Sequence, residues 1–417
     1  MNVALTWLIG AIFFAVVGAI VVPRRYRDKG LDDTNTTTAG VLGGFVSGPI
    51  IPAILWATTP KLKRLWMVTL TVSNLGVLYG MFATAYPTNL CVVAPYNATY
   101  LSQQVANGVV IGAIYALMAV GLTLIYSVAG IVSFTHGQLY MIGGYFSYYF
   151  LLLSSNYLTE LRGEEVVVNP IFGILVAGVL VFIIGALFER MFLRPMHEGL
   201  IERAAEYAIL ITFGFGFFIE YATLAVAGPF PVRGERYVET RLWQLERVQI
   251  TETAAFGPIN IIADRGVAMV IGVVLIFALL YFLNRTWTGS ALRATSMDKQ
   301  AAAVTGINPI NMNTLAFGIG AMLAGMSGAA LVPIFSWVPY IGAEMAGRSY
   351  VIVVLGGLGS VPGALLGGII VGVVEAVGSG CFPDPSRGAA YKEAFALLIF
   401  ALVLLLKPTG LFGRDTL

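Results

Sequence analysis

The sequence predicts an all-α polytopic membrane protein with broken or re-entrant segments. Three observations carry this expectation. Of 417 residues, 58% are hydrophobic and 11% charged, whereas soluble domains carry roughly a quarter charged residues, and the mean hydropathy is +0.84. Apolar runs long enough to cross hydrocarbon recur from one end of the chain to the other. Several runs are interrupted by polar or Gly/Pro-rich breaks, and at membrane depth such breaks need protein or water around them.

The apolar spans fall near 3–22, 40–58, 66–86, 103–127, 131–153, 170–188, 207–227, 266–283, 309–332, 346–358, 362–378 and 390–406. The first is followed, not preceded, by its positive charges (Arg24, Arg25, Arg27), the reverse of a secretory signal. It reads as a retained helix ending in the cytoplasm. The second contains Pro49 and Pro52 and is flanked on both sides by basic clusters, with Lys61, Lys63 and Arg64 beyond it. A re-entrant or broken hairpin keeps both clusters inside. With the N-terminus outside, segments 87–102, 154–169 and 228–265 lie outside. Segments 189–206 and 284–308 and the tail from Lys407 lie in the cytoplasm. Residues 1–100 read as a hydrophobic extension with two or three membrane segments, and 101–417 as a core. No sequence repeat is visible, although inverted repeats in transporters often escape detection this way.

Composition also removes whole classes. A net charge of +2 is too small for nucleic-acid binding. The sequence has no CxxC, HExxH or histidine cluster, hence no readable metal site. It has no GxxxxGK[ST] loop and no GxSxG elbow, so neither ATP binding by that route nor hydrolase chemistry is expected. The two cysteines, Cys91 and Cys381, are either apolar fillers or, both falling outside, a disulfide.

The richest stretch is 103–149. It is almost wholly apolar, yet it holds Asn107, Thr123, Thr135, His136, Gln138 and Tyr140. These residues either hydrogen-bond neighbouring helices or line a solute path. Two acids, Glu220 and Glu375, sit in apolar surroundings toward the outer ends of their spans, and Arg348 can pair with either. Small residues recur four apart at Gly108/Gly112, Gly363/Gly367, Gly368/Gly372 and Gly40/Gly44/Gly48, which reads first as close helix packing. The cytoplasmic segment 288–307 favours one helix ended by Gly306, with Met297, Ala301 and Val304 on one face and Arg293, Asp298, Lys299 and Gln300 off it. It serves either as a solvated connector or as a rigid lever pushed by a soluble partner.

Three regions together resemble the first of the two permease subunits of branched-chain amino acid ABC importers. They are Asn107-Gly108…Gly121-Leu122-Thr123…Phe134-Thr135-His136-Gly137, then Arg293…Asp298…Ala301-Ala302…Gly306, then Val353–Ala364 with the ending Lys407-Pro408-Thr409-Gly410-Leu411-Phe412-Gly413. The resemblance implies a permease that pairs with a second related permease, two cytoplasmic ATPases that bind the ATP, and an external solute-binding protein. This chain itself would hold no cofactor. Segment 293–307 would be the ATPase contact. Relatives that import urea or short amides keep that solute class open, and a free-standing channel or ion-coupled carrier is the rival from outside the family. The chain departs from the family pattern at Thr135, where Ala is common, and at Gln138, where Glu is common, which puts any carboxylate role there in doubt.

Overall fold

The computed structural model describes residues 97–164, 166–237, 247–249, 260–382 and 385–413. Among them, seven helices are long and apolar enough to cross a membrane by length and composition. The spans expected before residue 97, with Gly40/Gly44/Gly48 and Cys91, lie outside the described residues.

The helices run α1 Asn97–Ala129, α2 His136–Arg162, α3 Pro170–Phe188 and α4 Ala204–Ala227. A small antiparallel ribbon follows, β1 Arg247–Gln249 with β2 Asn260–Ile262. Then come α5 Ala263–Arg285, α6 Trp287–Met297, α7 Lys299–Val304, α8 Pro309–Leu331, α9 Ile341–Gly356, α10 Val361–Gly380 and α11 Lys392–Leu406. Local chemistry sets the boundaries. Asn169 caps α3 by accepting from the Ile171 amide, with Pro170 in the first turn, and Asn308 with Pro309 opens α8 in the same way. Beyond Phe188 the α3 helix widens into a π-turn, Glu189–Leu193.

Leu101–Val377, Lys392–Phe400 and the tail from Thr409 belong to one compact unit, and every site described below lies in it. Gly378–Tyr391 and Ala401–Pro408 belong to a second, in which Phe382 packs on Tyr391 with ring centroids 5.0 Å apart.

Two broken helix pairs dominate the first unit. Helix α1 stops at Ala129 and α2 starts at His136; α8 stops at Leu331 and α9 starts at Ile341. Corresponding members meet at glycines. A Cβ on Gly121 would lie 2.6 Å from the Gly320 carbonyl oxygen, and one on Gly320 would lie 2.6 Å from that of Gly121. A Cβ on Gly342 would fall 2.8 Å from the Gly137 oxygen. Glycine at each of these positions lets the two backbones approach closely. Helix packing also claims the expected glycine stripe. Gly108 and Gly112 of α1 lie against Gly368 and Gly372 of α10, with a Gly112 Cβ meeting the Gly368 oxygen at 2.7 Å.

The expected break after 346–358 is a tight turn. Gly357 (φ 103°) and Gly359 (φ 84°) separate α9 from α10. The chain's ending packs here: the Leu411 and Phe412 amides donate to the Leu355 and Gly356 carbonyls, both at 2.9 Å. Two of the motifs that carried the resemblance are therefore one local structure.

Candidate functional site

Most polar residues of the first broken pair are buried, and they differ in what they do. Thr123 is spent on its own helix, donating to the Ala119 carbonyl at 2.9 Å. Thr135 donates to the Thr212 carbonyl of α4 at 2.6 Å, so its hydroxyl ties the break to a neighbouring helix. The His136 Nε2 donates to the Met118 carbonyl at 2.9 Å. Tyr350 of α9 donates to the Ser133 carbonyl at 3.0 Å. Asn107 is half-buried, and its Oδ1 accepts from Gln103 at 3.4 Å. Of these, the Tyr350 bond satisfies a carbonyl of the irregular segment, which lipid cannot solvate, and Thr135 and His136 tie the break to carbonyls of α4 and α1. Several buried atoms are left over: Ser133 Oγ, His136 Nδ1, Gln138 Oε1 and the Tyr140 hydroxyl have no hydrogen-bond partner among the described residues. Packing alone does not call for such groups, because an unsatisfied buried polar atom is costly.

The ionic candidates resolve into one cluster without Glu220. Arg348 Nε lies 3.1 Å from Glu375 Oε1, and its Nη2 lies 2.7 Å from Glu344 and 3.7 Å from Glu393. Lys392 Nζ lies 3.3 Å from Glu375 Oε2 and 3.4 Å from the Tyr115 hydroxyl. The Tyr115 ring lies beneath both cations, 5.6 Å from the Arg348 guanidinium carbon and 5.9 Å from the Lys392 nitrogen, within cation–π range. Glu375, which the sequence places toward the outer end of its span, is fully buried. Two cations hold it there, as a buried carboxylate requires. Glu220, half-buried on α4, makes no salt bridge among the described residues. It does not join the ion pair proposed for it from the sequence.

Segment 288–307 also differs from the single helix expected of it. Asp298 breaks it, ending α6 and capping α7 by accepting from the Gln300 (2.8 Å) and Ala301 (3.1 Å) amides. Met297, Ala301 and Val304 are exposed, so the apolar face points outward, while Ala302 between them is buried. Gly306 closes α7 with φ 88°. Arg293 donates to Asn284 at 3.0 Å. Lys299 reaches back to donate to the Ala129 carbonyl at 3.0 Å, which is the last residue of α1 before its break. Partial burial pushes the Lys299 ammonium below the usual lysine range. The exposed segment is thus tied directly to the broken pair.

Sequence reasoning passed over several members of these groups. Glu344 sits four residues before Arg348, a spacing that pairs charges on a helix and was readable. Lys392 and Tyr115 come from remote helices, and nothing local marks them. A second buried cluster lies at the π-turn, where Thr314 donates to Glu189 and His197 Nε2 lies 3.8 Å from Glu189 Oε1. Among the described residues, no group of three or more His, Cys, Asp or Glu side chains is placed to hold a metal.

A helical, multi-pass chain with buried polar atoms along its broken helices and an exposed, anchored segment between α6 and α8 has the make-up of a membrane transport protein. Residues 104–406 match the family described as the branched-chain amino acid transport system permease component, and the chain belongs to that family. It is 31% identical to the high-affinity branched-chain amino acid transport system permease protein LivH of Salmonella typhimurium, over 76% of this chain and 96% of that one. The same figures describe its likeness to LivH of Escherichia coli K12. BraD of Pseudomonas aeruginosa, a permease protein of the same description, is 31% identical over 75% of this chain and 95% of its own. The first hundred residues precede the family match. No solved structure matches the chain.

Proposed function

We propose that this protein is the transmembrane permease subunit of an ATP-driven ABC importer that moves branched-chain amino acids across the cytoplasmic membrane. The observation that carries this reading is the family match from 104 to 406, which spans both broken pairs and the exposed inner segment. The chain supplies the path and no ATPase. Two cytoplasmic ATPase subunits bind the ATP, a second related permease completes the path, and an external binding protein delivers the solute. The N-terminus lies outside and the C-terminus in the cytoplasm. The inner segment with Arg293, Asp298, Lys299, Ala301, Ala302 and Gly306 receives the movement of the ATPases. The Lys299 bond to Ala129 supports this role, because displacement of α7 acts on the end of α1 and on the break that follows. ATP binding and hydrolysis then bias a bistable arrangement of the broken helices.

Reconstitution tests the reading. Proteoliposomes holding this chain, the second permease and both ATPases should accumulate radiolabelled leucine when ATP is inside and the binding protein outside. Omission of any one component should abolish accumulation. Leucine uptake by the chain alone, or hydrolysis of ATP by the purified chain, would refute it.

A further inference from the structure

We infer that the outer edge of the Arg348 guanidinium is a recognition site for the charged backbone of a free α-amino acid in transit. This rests on the amino acid permease reading above. A zwitterion leaving water must find an opposite charge for its carboxylate and another for its ammonium. Among the described residues, Arg348 is the one buried cation, and acids lie on two sides of it.

Those two sides are unlike. On the inner side Glu375 is fully buried and fixed by both Arg348 and Lys392, so it anchors the guanidinium. On the outer side Glu344 and Glu393 are 46% and 58% exposed, so their carboxylates are free to swing away. A guanidinium offers five N–H donors in a planar fork that suits a carboxylate. A ligand carboxylate that displaces Glu344 from Nη2 keeps Arg348 neutralised. The displaced Glu344, with Glu393, then faces the ligand ammonium. Charge stays balanced at each stage, and no covalent bond changes.

Tyr140 supplies the second, independent observation. Its side chain is 1% exposed, and its hydroxyl has no hydrogen-bond partner among the described residues. The charges of Arg348 and Glu344 and the Tyr115 phenol act on it electrostatically. The phenol is therefore an unused buried donor within electrostatic reach of this group of charges. A pair that merely fastened α9 to α10 would need neither that phenol nor two half-exposed acids. The site is closed in this conformation, and the ligand meets it when the path opens during the transport cycle.

The test uses the complete reconstituted importer, with leucine as the probe. Tyr140→Phe removes a hydroxyl that has no hydrogen-bond partner among the described residues, so assembly and thermal stability should match the parent. Leucine kcat/KM should fall roughly threefold to tenfold, the loss of one hydrogen bond. Glu344→Gln, on an exposed side chain, should show the same pattern. Parental uptake in either variant, or a loss that follows thermal stability, overturns the assignment while the importer reading stands. Absence of leucine uptake in the parent overturns both.

Discussion

Replacing Gly112 by alanine tests the packing of α1 against α10 in a quantitative way. The new Cβ would lie 2.7 Å from the Gly368 oxygen and 2.8 Å from the Ile369 Cα. Carbon and oxygen settle at about 3.3 Å or more, so the helices must part by roughly 0.6 Å. Both obstacles are backbone, and neither can rotate aside as a side chain would. Strain of this kind in a packed interior costs about 1–3 kcal/mol. Gly214→Ala is the control, because nothing lies within 4 Å of its added methyl and alanine is favoured over glycine in a helix by roughly 0.5–1 kcal/mol. Thermal unfolding of the detergent-purified importer, followed by loss of the monodisperse peak, should place Gly112→Ala clearly below the parent and Gly214→Ala at or above it. Equal transition temperatures for the two variants would refute the close backbone crossing.

Other outcomes follow from single contacts. Lys299→Met removes a charge-assisted bond to Ala129, worth about 1.5–3 kcal/mol; ATP hydrolysis should continue while leucine uptake per ATP falls severalfold, and unchanged coupling would count against the lever. Asp298→Lys removes the α7 cap, costing about 1 kcal/mol locally, and should uncouple hydrolysis from uptake without preventing membrane insertion, as immunoblots of membrane fractions would show. The proposed Cys91–Cys381 bridge should appear as two extra alkyl groups in the intact mass only after reduction; labelling of both thiols in fresh, unreduced membranes would exclude it.

Much of the fold was legible because lipid imposes one pattern on every span. Long apolar runs bounded by charge or proline placed most of the described spans to within a few residues, although α1 begins earlier than expected, at Asn97, and α2 runs on to Arg162; the Gly108/Gly112 stripe correctly announced a close crossing. What stayed hidden depends on contacts between remote segments. The pairing of Gly121 with Gly320 links positions 199 apart in sequence, and nothing beside either glycine names the other. The helix expected over 288–305 failed at Asp298 because an aspartate that can cap two amides prefers to start a helix rather than sit inside one. Arg348 and Glu375 were readable as partners, but Lys392 and Tyr115 arrive from α11 and α1. Glu220 was grouped with them on residue type alone, and the fold leaves it on α4.

The central claim is that the exposed segment between α6 and α8 receives force inside the cell. Ala301→Cys places a thiol on its exposed face, and a membrane-impermeant thiol reagent can be applied to right-side-out and inside-out vesicles, with the unsubstituted chain as background. Labelling above background only in inside-out vesicles is the expected result. Labelling from the external side would contradict the account at its root.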